Sequence, residues 1–264
     1  MFTPITYFAP QGPSWTPEEM NGITHWWRAD LGVTLSSGTV TQWTDQIAGK
    51  NLTQEGSSTA PDYVSADTTM NSQPAIEFGN DGTTTDSLSD QANRVTIGST
   101  DFPFVWYVFS TADNARGGYQ IIGPDAGPDG ANQELAIEFN HPSYANTISI
   151  YSYRIDGNGG ITVGNVTSRP DKGWVGFGVD NADSNHPGYI YKNSGTRINA
   201  WTNGSYYWGE QGSGIDLVVG NYGPSQTLGY VGRVLEFGFG TEEIDSNSET
   251  EFHSYLNTRY GLSL

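Results

Sequence analysis

The chain has 264 residues, no cysteine, a formal net charge of −18 and only 15% charged residues. That excludes a disulfide framework, a thiol nucleophile and Cys-ligated metal, and with no basic stripe it speaks against nucleic acid or an anionic membrane as partner. Thirty-four glycines and 13% aromatics supply the turns and the bulk of one large all-β domain.

Residues 1–14 hold Pro4, Pro10 and Pro13 beside Phe2, Tyr7 and Phe8. Such a segment cannot be helical and is expected to run as an extended arm, packed on a neighbouring subunit or on the chain's own sandwich. Thr16-Pro17-Glu18-Glu19 has a cap, a proline and an acidic first turn, which predicts one helical turn. An aromatic strand follows in Ile23–Asp30. Short strands are then expected at Val40–Trp43, where Trp43 joins the core and Asp45 caps the next turn, and at Gln73–Phe78. Asp81 and Asp86 fit the same turn-capping role. Phe102–Ser110 is almost continuously apolar, which suits a central strand covered on both faces. Glu134–Phe139, Thr147–Tyr153, Trp174–Val179, Tyr189–Tyr191, Asp216–Gly220 and Tyr230–Phe239 complete the series. In Trp174–Val179, Val175, Phe177 and Val179 are expected inward, with Gly176 and Gly178 outward. Arg233 shares strand parity with Val231, Leu235 and Phe237, so either a buried ion pair or a bulge at Gly232 is expected. The end changes character. Ser246-Asn247-Ser248-Glu249 forms a capping-box pattern, Phe252, Tyr255, Leu256 and Tyr260 recur at helical spacing, and Gly261 suits the position after the last turn. A helix over about 247–260 is predicted, within one domain spanning 15–264.

Four stretches carry a family resemblance: ITHWWRADLGVT, VTQWTDQIAGKNLTQ, QPAIEFGNDGTTTDSL and GRVLEFGFGTEEIDSNSETEFHSYLNTRYGL. In this order they resemble the concanavalin A-like, laminin-G-like jelly rolls of phage and bacterial surface proteins. The resemblance implies a two-sheet antiparallel sandwich, and it implies no particular function, because lectins, hydrolases and scaffolds share that fold.

Catalytic chemistry finds little support in the sequence. The Glu-x-Asp-x-x-Glu strand of sandwich glycosidases is absent, and Glu134 with Glu138 reads as a wet strand face. No nucleophile elbow is visible. His25, His141, His186 and His253 lack zinc spacing. No cofactor is expected; calcium is the one metal worth testing, at Asp125 and Asp129 or at Asp180 and Asp183, which are also ordinary turn residues. Trp201, Asn203, Tyr206, Tyr207 and Trp208 gather aromatics around a turn, a surface for a subunit interface or for sugar stacking.

Two functions remain. The first expectation is a non-enzymatic virion protein, a head decoration or cement protein bound to capsid subunits as a homo-oligomer such as a trimer. Phe2, Tyr7, Phe8 and the 201–208 turn would be its contacts. It would be placed on the virion surface without a signal peptide, since Met1–Phe8 offers neither a basic start nor an apolar run. The alternative is a carbohydrate-binding or receptor-binding module of a tail fibre or adhesin.

Overall fold

The computed structural model describes residues 15–54, 59–79, 86–90, 104–110, 118–119, 135–139, 147–153, 160–167, 171–179, 188–199, 217–220 and 230–264. A 3-10 turn at Pro17–Glu19 precedes β1 (Ile23–Arg28), β2 (Val33–Ser36), β3 (Thr39–Thr44), β4 (Asn51–Gln54), β5 (Asp62–Asp67), β6 (Gln73–Phe78), β7 (Leu88–Ser89) and β8 (Phe104–Ser110). Then come β9 (Gly118–Tyr119), β10 (Leu135–Phe139), β11 (Thr147–Tyr153), β12 (Gly160–Thr167), β13 (Lys172–Val179), β14 (Gly188–Lys192), β15 (Ile198–Asn199), β16 (Val218–Val219) and β17 (Gly232–Gly240). The helix α1, Ser246–Tyr260, closes the described chain.

The fold is all-β and antiparallel apart from that helix, as composition and alternation predict. Hydrogen bonds draw a thirteen-stranded sheet in the order β15-β14-β13-β8-β17-β6-β5-β3-β4-β7-β16, with β1 on β17 and β2 on β3. A second, four-stranded sheet runs β12-β11-β10-β9. The large sheet curls past β6 and β5, so that β3 comes over β17: Trp43 lies edge-on to Phe237, ring centroids 5.3 Å apart. Between these layers sits an apolar core that includes Trp27, Trp43, Leu52, Leu88, Tyr107, Phe109, Phe177 and Phe237. A second core lies on the other face of β8, β13 and β17, where Trp26, Trp106, Trp174 and Tyr191 meet Phe252, Tyr255, Leu256 and Tyr260 of α1. All seven residues of β8 are therefore buried, the outcome its unbroken apolar run foretells.

Local chemistry sets the ends of these elements. The Glu19 carboxylate accepts the Thr16 N–H at 3.0 Å and closes the first turn. Helix α1 corrects one expectation: its N-cap is Asp245, whose carboxylate accepts the Asn247 and Ser248 N–H groups at 2.9 and 3.1 Å. Ser246 is already helical. An aspartate one residue earlier satisfies the same orphan donors and adds a negative charge at the positive end of the helix dipole. Gly261 ends the helix at φ 66°, a left-handed conformation that a side chain disfavours. Asp45 behaves as predicted, accepting Trp26 and Ile47 N–H at 2.9 Å each and Ala48 N–H at 3.2 Å. With the Gln46 N–H bonded to the Trp26 carbonyl at 2.7 Å, this loop also covers the outer edge of β1. Asp86 likewise accepts the Gly79 N–H at 2.6 Å, whereas Asp81 lies outside the described residues.

Two further expectations are corrected. Gly176 and Gly178 do face away from Val175 and Phe177, but that side is a second buried layer rather than an outer surface. A Cβ there would stand 2.5 Å from Trp174 and 2.3 Å from Tyr189, so both glycines make room for the aromatic layer beneath α1. The bulge of β17 lies not at Gly232 but between Val234 and Glu236, where its register against β8 shifts. Leu235 and Glu236 thus both face the helix, while Val234 and Phe237 face the inner core. Arg233 also has its ion pairs, 3.5 Å from Asp67 and 3.4 Å from Glu77.

Candidate functional site

An enzyme would need a carboxylate or histidine held ready for substrate. Glu236 is fully buried, and the bulge of β17 turns it under α1. Its Oε1 accepts the indole N–H groups of Trp26 at 2.9 Å and Trp106 at 3.3 Å. Its Oε2 accepts the Tyr255 hydroxyl at 2.6 Å and also that of Tyr260. Burial pushes this carboxyl up, and the two tyrosine hydroxyls, Arg259 and Arg28 pull it back. Both oxygens are spent on the fold. Above it, Asp30 bridges Arg28 at 2.6 Å and Arg259 at 2.7 Å. Burial would raise the Asp30 carboxyl, but Arg259 and Arg28 outweigh it and hold it below the usual carboxylate range.

The other clusters are committed in the same way. Arg197 pairs with Glu243 and Glu249 at 2.9 Å each, donates to the Ile244 carbonyl at 2.9 Å and to the Tyr191 hydroxyl at 2.7 Å, and stacks on Tyr189. It ties the β14–β15 connection to the start of α1. Asp67, buried, accepts Thr69 N–H at 2.9 Å and the Ser110 hydroxyl. His25 stacks on Phe239 at 4.6 Å and donates or accepts at Thr24 Oγ1 through Nδ1 at 2.9 Å. Its Nε2 stands 3.9 Å from Asp45 and has no hydrogen-bond partner. Burial, helped by Lys50, lowers the His25 pKa to about 4, so the ring is neutral at pH 7 and forms no ion pair with Asp45. Among the described residues no three His, Cys, Asp or Glu side chains gather as metal ligands.

A different surface is uncommitted to the core. On β3 and β4, Trp43 and Leu52 point into the inner core, so their neighbours turn outward. There the Gln42 amide donates to Thr44 Oγ1 at 3.0 Å, and Thr44 donates to Asn51 Oδ1 at 2.9 Å. This preformed chain of amide and hydroxyl groups carries no ionisable side chain and sits beside exposed Thr34 and Thr53. Sequence reading missed it. The signal was present in TVTQWT and NLTQ, whose wet positions hold amides and hydroxyls where a solvent face ordinarily carries Lys or Glu.

Trp201, Asn203, Tyr206, Tyr207 and Trp208, the arm residues Phe2, Tyr7 and Phe8, and the calcium candidates Asp125, Asp129, Asp180 and Asp183 all fall outside the described residues, as do Glu134, His141 and His186.

No protein-family model matches the sequence, and none of the curated proteins does. Solved structures do resemble the fold. Domain 4 of AbnA, a GH43 extracellular arabinanase from Geobacillus stearothermophilus solved in complex with arabinotriose, aligns with a TM-score of 0.58 at 12% identity, covering 88% of this chain and 98% of that one. An arabinofuranosidase complexed with arabinofuranosyl-α-1,2-xylobiose aligns at 0.55 with 14% identity, and a GH54 α-L-arabinofuranosidase soaked with a cyclic sulfate inhibitor at 0.54 with 13%. Each of these two covers 92% of this chain, which spans only 60% of either enzyme. At such identities the likeness is one of fold: the chain shares a β architecture with these carbohydrate-active proteins.

Proposed function

We propose that the chain is a carbohydrate-binding domain that holds a glycan without cleaving it. The observation that carries this reading is the end-to-end match to a single domain of an arabinanase, solved in complex with arabinotriose. The commitment of Glu236, Asp30, Asp45 and Asp67 to hydrogen bonds and ion pairs supports it, since a glycosidase needs two carboxyl groups facing the same sugar. The laminin-G-like, two-sheet jelly-roll reading belongs to the same proposal, supported by the edge-on contact of Trp43 of β3 with Phe237 of β17 across the inner core. Capsid decoration, the first expectation from sequence, leans on residues 1–14 and 201–208, and no observation among the described residues favours it.

A glycan array and an assay for released reducing sugar test both halves together. Binding to at least one oligosaccharide with no reducing-end release is the expected result. A blank array removes the binding claim, and turnover of a bound oligosaccharide removes the non-catalytic one.

A further inference from the structure

We infer that the outward face of β2, β3, β4 and β7 is the sugar-contact surface and that its ligand is a neutral oligosaccharide. The inference rests on the carbohydrate-binding reading and adds to it a place and a class of sugar. Strand register carries it. Thr34 is paired with Gln42, Gln42 with Thr53, and Thr53 with Ser89, so the four form one row across four strands. Beside it Thr44 is paired with Asn51. Trp43, Leu52 and Leu88, which alternate with these residues, are fully buried in the inner core, and this turns the row to the opposite face. At the usual spacing between strands the row is about 14 Å long, a groove length for a short oligosaccharide rather than one sugar ring.

The chemistry of the row selects the ligand. Hydroxyls and amides both donate and accept, as sugar hydroxyls do. No member of either row is ionisable, so nothing there neutralises a uronate or sialate, and the chain's charge of −18 repels such a ligand. The Gln42–Thr44–Asn51 hydrogen bonds fix the amides before a ligand arrives.

A second observation points the same way. Ser87 and Ser89 flank inward-facing Leu88 and therefore share the outward face. They are 1% and 0% exposed, and both hydroxyls lack any hydrogen-bond partner. Buried orphan hydroxyls cost stability, so their presence at the end of a polar row marks groups left for a ligand to satisfy. A sugar hydroxyl entering at that end supplies what they lack.

The test uses the full chain and three probes, arabinotriose, xylotriose and trigalacturonic acid, together with any neutral oligosaccharide that the array retains. Calorimetric titration should show binding of a neutral probe and none of trigalacturonate. Gln42→Ala with Asn51→Ala should weaken the neutral ligand at least tenfold with little change in melting temperature, because Asn51 is exposed and Gln42 only half-buried. Ser87→Ala with Ser89→Ala should weaken it too while leaving the melting temperature equal or higher, a combination that a purely structural role for the serines would not give. Wild-type affinity in both double variants overturns the assigned face and leaves the carbohydrate-binding reading standing. A preference for trigalacturonate overturns the neutral class. A chain that retains no oligosaccharide at all fails at the earlier reading, and this inference falls with it.

Discussion

The two faces of β17 are built on opposite principles. Toward the inner core, Val234, Phe237 and Phe239 pack almost wholly on apolar and aromatic groups, with Phe237 stacked on Trp27 at 4.7 Å and His25 on Phe239 at its rim. Toward α1, one residue away, Glu236 gathers two indole N–H groups and two tyrosine hydroxyls on a single carboxylate. Apolar packing rewards volume and tolerates exchange of one hydrocarbon for another. A buried carboxylate with four donors accepts only one arrangement of its partners. The inner face therefore supplies the bulk of the stability, and the outer face decides where the helix sits.

Adjacent substitutions on β17 test that contrast directly. Glu236→Ala should have the largest effect, about 3–5 kcal/mol, because it strands the donors of Trp26, Trp106, Tyr255 and Tyr260 in a buried site. Urea denaturation measures it. Phe237→Leu, its neighbour on the inner face, should cost only about 1–2 kcal/mol, since the hole is lined by hydrocarbon that can partly relax. Equal costs would erase the distinction between the faces.

The next effect belongs to the rim of the inner face. His25 has a folded pKa of about 4 against 6.5 when unfolded, owing to burial and then Lys50. The unfolded chain therefore binds a proton that the folded chain refuses between pH 6.5 and about 4, and stability must fall as pH drops through that window. The loss amounts to at most about 3 kcal/mol. His25→Phe keeps the stack on Phe239 and should flatten the slope of unfolding free energy against pH over this range. An unchanged slope would assign the acid sensitivity to the carboxylates instead.

How much of this was legible beforehand follows the range of the interactions. Phe104–Ser110 announced its double burial because an unbroken apolar run reports on both faces of a strand. Phe252, Tyr255, Leu256 and Tyr260, all buried in the structure, announced the helix and its packed side. Asp45 was readable because its bonds to Ile47 and Ala48 are local. The bulge at Leu235 and Glu236 was not, since it is set by how β17 pairs with β8, more than a hundred residues away. For the same reason the side that Gly176 and Gly178 face was read only as outward: its cover comes from Tyr189 and Tyr191 of β14 and from α1, which are distant in sequence. The polar row across β2, β3, β4 and β7 is a property of register, and residues that touch only across strands cannot be grouped from one strand at a time. The Ser246–Glu249 pattern misled by one residue because Asp245, Ser246 and Ser248 are all good caps, and only geometry chooses among them.

That choice gives the smallest predicted effect and the finest test of the contrast between a helix held by its cap and one held by its packed face. Asp245 is exposed, and its carboxyl is drawn below the usual range by the Ser248 N–H and hydroxyl. A depressed pKa means that the cap contributes above the unfolded carboxylate value and is lost as pH falls through the folded one. Asp245→Ala should cost about 1 kcal/mol near neutral pH. Asp245→Asn, which caps nearly as well without titrating, should keep that stability and lose its acid dependence. Thermal melts of the two variants from pH 7 to pH 2 separate the terms. If Asp245→Ala cost as much as Glu236→Ala, the helix would be held by its first turn, and the node beneath it would be only a packing filler; a cost several-fold smaller places the hold at Glu236, where the bulge of β17 puts it.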